Sequence, residues 1–191
     1  MTGEFLPSES ALLALQRLIE RYDNQGIIIG GVAVSLLSKP RFTADVDALL
    51  LLDSDELPNL LIIAEQEGLL PRIPDALDFA RRHRVLLLQH HESGVNVDIS
   101  LGLLPFESEA IEHSHVRQIG TLTLRLPIPE DLIIFKAVAH RPKDLLDIQA
   151  IIECYPDLDK QYVVQRVREF AQLLEMPELW DDIAPWLRSP K

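Results

Sequence analysis

Gly30-Gly31-Val32-Ala33-Val34-Ser35, followed by Arg41-Phe42-Thr43-Ala44-Asp45-Val46-Asp47, is the stretch on which the fold turns. A short apolar run over residues 25–29 leads into the glycine pair, and residues 32–37 are apolar and helix-compatible. Glycines at a strand-to-helix turn let the backbone approach a ligand closely, with N–H groups aimed at an anion. The helix dipole adds partial positive charge at the same place. Gly30 and Gly31 therefore suit a phosphate, although a glycine pair taken alone reads more simply as a tight turn. The acids that follow decide between the two. Residues i and i+2 of a strand face the same side, so Asp45 and Asp47 are expected to project together. Two carboxylates on one face repel unless a cation lies between them, and hard oxygen ligands suit magnesium. Two such ions a few Å apart would clamp the attacking and leaving oxygens of a phosphoryl transfer. A solvated strand edge is the plainer reading. It fits less well, because residues 49–52 continue as an apolar run typical of a central strand.

A third carboxylate is needed nearby. In Val95-Asn96-Val97-Asp98-Ile99-Ser100-Leu101 the apolar residues alternate with polar ones, and Asp98 is the single acid. If this strand lies beside the Asp45 strand, Asp98 completes a triad that bridges a metal and activates an acceptor hydroxyl.

The order Gly-Gly, Asp-x-Asp and a later Asp resembles the nucleotidyltransferase fold of the DNA polymerase beta superfamily. The fuller pattern is similar to the minimal nucleotidyltransferases of the abortive-infection toxin (AbiEii) type. It comprises Gly30-Gly31-x-Ala33, a basic residue at Arg41, Thr43-x-Asp45-x-Asp47 and the late Lys143-Asp144-Leu145-Leu146-Asp147. The resemblance spans residues 24–154. It implies an α+β fold, a small mixed sheet flanked by helices with a C-terminal helical segment. It also implies a nucleoside triphosphate substrate and Mg2+, two ions, held by Asp45, Asp47 and Asp98. Lys136 is then expected to reach the nucleotide phosphates. Many superfamily members carry Ser after the first Gly; here Gly31 stands there, so backbone N–H groups and Ser35, one helical turn on, would have to serve. Arg41 reads either as a phosphate contact or as surface charge. Asp144 and Asp147 read as tethers for Lys136, Lys143 or Arg141 that fix two helices.

Composition bounds the rest. With 191 residues, 47% hydrophobic and 25% charged, the chain has the make-up of a globular protein. Residues 1–127 read as the nucleotidyltransferase core and 128–191 as a helical region packed on it. No apolar run approaches the ~20 residues of a membrane span. Glu4 and Glu9 argue against a signal peptide. The single Cys154 fits a reducing cytoplasm and reads as a buried helix residue. The net charge of −12 argues against broad DNA or RNA binding, which needs a basic footprint. Arg72, Arg81, Arg82 and Arg84 form the densest basic cluster; the last three read more simply as a solvated charge run than as an acceptor edge. His90, His91, His113 and His115 lack a Cys partner, and adjacent strand histidines face opposite ways, which argues against zinc.

Helices are predicted over residues 8–22, 31–37, 56–66, 75–82, 105–112, 128–139, 144–153 and 158–175, with a last short one over 177–187. Strands are predicted over 27–29, 45–52, 85–89, 96–101 and 121–126, the third and fourth joined by a hairpin turn at residues 92–94. Trp180 and Trp186 read as packing anchors or as a partner surface.

The acceptor stays open at this level. The toxin-type resemblance implies a tRNA 3′ end or a protein hydroxyl, with an antitoxin as partner. Aminoglycoside nucleotidyltransferases share the glycine turn and acidic pair, and an acidic protein suits a cationic small molecule. A nucleotide-binding or interaction module that keeps the fold without turnover is a third reading. The intact Asp45, Asp47 and Asp98 argue against it.

Overall fold

The computed structural model describes residues 8–187, so Glu4 lies outside the described residues. The chain divides into two compact units. One is formed by the residues up to Ser35 together with Arg41–Pro127. The other is formed by Leu36–Pro40 with the residues from Ile128 onward.

The first unit runs α1 (Glu9–Glu20), β1 (Gly26–Ile29), α2 (Gly30–Leu37, divided between the units), β2 (Val46–Leu51), a 3-10 turn (Ser54–Glu56), α3 (Leu57–Gln66), β3 (Leu69–Pro71), α4 (Ala76–His83), β4 (Val85–His90), β5 (Asn96–Gly102), α5 (Pro105–His113), β6 (His115–Ile119) and β7 (Leu122–Leu126). Five strands form one mixed sheet in the order β1-β2-β5-β4-β3. Only β2 and β5 are parallel; the other three pairings are antiparallel. This is the α+β architecture expected from the sequence. The amphipathic pattern of α1 buries Leu12, Leu15 and Leu18 completely, alongside Ile27, Ile28, Leu49, Leu50, Leu86 and Leu88 from the sheet. A fully buried Leu or Ile contributes about 1.5–3 kcal/mol each relative to exposure, and this core holds the strand ends rigid.

The second unit is helical: α6 (Pro129–Ala139), α7 (Pro142–Cys154), α8 (Lys160–Leu173), α9 (Glu178–Asp181) and α10 (Ala184–Leu187). Its apolar interior includes Ile133, Ile134, Ile148, Ile151, Val163 and Val167.

The structure departs from the sequence reading in several places, among them the last predicted helix, over 177–187, which is two short ones, α9 and α10, and the strand predicted over 45–52, which begins at Val46 and leaves Asp45 in the bend before it. The edge strand β3 falls between the helices predicted over 56–66 and 75–82, where the sequence analysis places no strand; three residues carry no alternation, and pairing with β4 creates the strand. Likewise β6, which pairs with β7, was not foreseen because its pattern is masked by His115, Arg117 and Gln118. The long C-terminal helix is shorter at both ends, since the Asp159 side chain accepts the Tyr162 N–H at 2.9 Å and starts the helix there. Finally, Cys154 is exposed, because it is the last residue of α7, beyond the turn that Ile151 buries.

Candidate active site

The site is assembled by register. In β1 and β2, Ile29 stands opposite Asp47, and in β2 and β5, Asp47 stands opposite Asp98. Residues directly opposite on paired strands face the same side, so Asp47 and Asp98 project together from neighbouring strands ~4.8 Å apart. Both are half-buried, whereas Asp45 sits in the bend just before β2 and is exposed.

Gly30 follows β1 immediately and has φ +65°. A Cβ built there would lie 1.9 Å from Asp47 Oδ2 and 2.6 Å from its Cγ. The turn thus presses its backbone onto the carboxylate, which only glycine permits. A Cβ on Gly31 would meet Thr43 Oγ1 at 2.5 Å and Arg41 Nη2 at 3.3 Å. The space that a side chain would take at position 31 is therefore shared by the Thr43 hydroxyl and the Arg41 guanidinium. Arg41 is drawn over the glycine turn rather than out into solvent. Thr43 orders its loop by donating to the Asp45 carbonyl at 3.2 Å.

Gly30→Ala is expected to destabilise the protein by about 1–2 kcal/mol through the left-handed backbone alone, and to displace Asp47. Thermal melting and label transfer measured together check this; unchanged activity would contradict the close approach.

Ser35 has a different use from the one anticipated. It is buried, and its hydroxyl donates to the Arg41 carbonyl at 2.8 Å. In this structure it ties α2 to the Arg41–Asp45 loop.

Asp98 carries a partner that sequence reasoning did not assign. Arg72 Nη2 donates to Asp98 Oδ2 at 2.9 Å and lies 2.8 Å from Oδ1. Burial raises the Asp98 carboxyl above its ordinary range. Arg72 opposes that shift, while the charges of Asp47 and Asp45 add to it. Asp98 thus feels the charges of both other aspartates. Arg72 was grouped with Arg81, Arg82 and Arg84 by sequence proximity, but those three go elsewhere. Arg81 pairs with Asp78, Arg82 donates to the Asp78 carbonyl, and Arg84 donates to the carbonyls of Leu101 and Gly102.

By kind, Asp45, Asp47 and Asp98 fit a hard divalent cation, with carboxylate oxygens from adjoining strands beside a glycine turn. Among the described residues, no three His, Cys, Asp or Glu side chains converge on one ion position, and Asp98 is turned to Arg72.

Lys136 belongs to the helical unit, where it is buried on α6. Its Nζ lies 2.9 Å from both Asp144 Oδ1 and Asp147 Oδ2 on α7. Arg141 Nε reaches Asp144 Oδ2 at 2.6 Å, and the Arg141 backbone N–H donates to the same atom at 3.1 Å. The tether read from the sequence for these two acids is what the structure contains.

A mixed sheet with a glycine turn wedged against the first of two register-paired aspartates defines a nucleotidyltransferase fold. Residues 10–180 match the family model described as nucleotidyltransferase of unknown function (DUF6036), and the chain belongs to that nucleotidyltransferase family. Among solved structures it is similar to an antigenic nucleotidyltransferase-like protein from Paracoccidioides brasiliensis, with 18% identity, 95% of this chain and 94% of the other covered, and a TM-score of 0.53. It is also similar to the antibiotic-resistance factor ANT(2'')-Ia in its solution structure, with 15% identity, 88% and 95% covered, and a TM-score of 0.57. No curated protein matches the chain. Among the described residues, no helix is long and apolar enough to cross a membrane.

Proposed function

We propose that this protein is a divalent-metal-dependent enzyme that moves a nucleoside monophosphate from a nucleoside triphosphate to an acceptor hydroxyl. The observation that carries this reading is the register pairing of Asp47 with Asp98, with Gly30 pressed against Asp47. Asp45 and Asp47 would hold the cation, Mg2+ and in two copies, and Asp98 would hold one of the two. A bound cation supplies charge neutralisation and orients the triphosphate oxygens. The N–H groups of Gly30 and Gly31 and the Arg41 guanidinium bind the triphosphate. Asp98 accepts the proton of the acceptor hydroxyl; the new O–P bond forms at the α-phosphorus as the bond to pyrophosphate breaks. Positioning and electrostatics provide most of the acceleration in such transfers.

For the acceptor we favour a tRNA 3′ end or a protein hydroxyl, with a cognate antitoxin as partner and the cytoplasm as the place of action. This choice rests on the abortive-infection-type pattern of Gly30 to Asp147. A second reading, a cationic aminoglycoside-like acceptor, is favoured by the net charge of −12 and by the structural likeness to a resistance factor.

The test is incubation of the purified protein with Mg2+ and each α-labelled nucleoside triphosphate. Total RNA, the protein itself and an aminoglycoside panel serve as acceptors. Label is expected on a macromolecule; label on an aminoglycoside alone would move the assignment to the second reading. Absence of magnesium-dependent nucleotide binding would sink both.

A further inference from the structure

The row of residues that crosses the sheet through Asp47 and Asp98 does not stop there. Leu87 on β4 stands opposite Asp98, and Pro71 on β3 stands opposite Leu88. One step further, the Arg72 backbone N–H donates to the Leu87 carbonyl at 3.1 Å, which extends the β3–β4 pairing by one residue. Asp47, Asp98, Leu87 and Arg72 are therefore consecutive across β2, β5, β4 and the end of β3. Arg72 is delivered to Asp98 by the sheet itself, and its ion pair is not a chance meeting of surface side chains.

The contact is also unusual in form. A single nitrogen, Nη2, approaches both carboxylate oxygens, at 2.8 and 2.9 Å. A guanidinium at its strongest meets a carboxylate with two parallel N–H bonds. Here only the Oδ2 contact has hydrogen-bond alignment, and the buried Oδ1 lacks an aligned donor among the described residues. Oδ1 of Asp98 thus has the guanidinium's charge beside it without an aligned N–H. On its opposite side stands Asp47, whose negative charge an arriving cation would relieve.

We propose that Arg72 is a positioning residue that holds Asp98 while no cation is bound and yields the carboxylate when one binds. The inference rests on the metal-dependent reading above. Arg72 offsets at Asp98 the repulsion from Asp47 and Asp45, and it keeps the Asp98 carboxylate turned toward the end of β3. It does so at a cost in cation affinity, since the cation must replace the guanidinium. The pair is about one-quarter exposed on each side, so exchange does not require a charge to cross a dry interior.

The experiment is titration of the full chain with Mn2+ alone, followed by electron paramagnetic resonance, on wild type, Arg72→Ala, Asp98→Asn and the double variant. Arg72→Ala is expected to bind Mn2+ about tenfold more tightly, the order of effect of removing one charged hydrogen bond. In the Asp98→Asn background the same substitution is expected to change nothing. An equal gain in both backgrounds would mean a general charge effect and would overturn the exchange. So would unchanged affinity in Arg72→Ala. If wild type and variants all fail to bind Mn2+, the metal-dependent reading itself falls, and the proposal with it. A measurement independent of the variants' folding is the side-chain 15N resonance of Arg72 in wild type. It is expected to move on Mg2+ addition, and a resonance that stays put as Mg2+ saturates would also overturn the proposal.

Discussion

Asp47→Asn is expected to lower nucleotidyl transfer on the order of a thousandfold, about 4 kcal/mol of lost transition-state stabilisation. The substitution keeps the shape of the side chain. Asn fits the space that Asp47 fills against Gly30, and the Asp47–Asp98 repulsion disappears. The fold should therefore survive, with a melting temperature within a few degrees of wild type. That separates the effect from misfolding. Initial rates of label transfer, measured beside a thermal melt, make the check. A variant that keeps most of its rate would remove Asp47 from the machinery. A variant that loses its rate and still binds nucleotide with Mg2+ would also weaken the reading, because cation and triphosphate should be lost together.

Lys136→Met is expected to destabilise the helical unit by about 3–5 kcal/mol, the usual result of removing one member of a buried charge cluster. Asp144 and Asp147 are almost wholly buried, and both point at the Lys136 ammonium at 2.9 Å. Without it, two buried carboxylates lose the ammonium they share, and Arg141, which pairs with Asp144, is itself more than half exposed. The pH dependence has a definite sign. Burial alone would raise the Asp144 carboxyl, but hydrogen bonds from Arg141 and Lys136, and their charges, outweigh it and hold it below its usual range. A depressed carboxyl contributes stability above its unfolded pKa of about 3.9 and loses it as pH falls through the lower folded value. Wild type should therefore weaken below about pH 4. In Lys136→Met the hydrogen bond and charge of Lys136 no longer lower the Asp144 carboxyl, so the variant's deficit relative to wild type should shrink as the pH is lowered. Urea denaturation followed by circular dichroism at pH 7 and pH 4 reads both effects. If Lys136→Met were as stable as wild type but bound nucleotide poorly, the buried tether would be incidental and the phosphate role first read for Lys136 would be preferred.

Much of the site was legible from residue order because its pieces are local. Alternation in Val95-Asn96-Val97-Asp98-Ile99 makes Asp98 the one acid on its face whatever the strand pairs with. The glycine pair after an apolar run marks a strand-to-helix turn for the same local reason, and Gly30 has the positive φ that such a turn requires. The order of motifs then pointed to the nucleotidyltransferase fold, and the family match agrees.

What only the tertiary structure decided is which distant residues meet. Nothing in the spacing of Pro71-Arg72 announces that a three-residue edge strand will carry Arg72 to Asp98, because that outcome depends on the register of two strand pairs. The employment of Ser35 and Lys136 is decided in the same way. A hydroxyl or an ammonium takes the nearest partner that burial leaves it, here the Arg41 carbonyl and the Asp144–Asp147 pair. A sequence displays periodicity, and so it displays faces. Contact across faces is set by packing, which sums over the whole chain and is written in no single stretch of it.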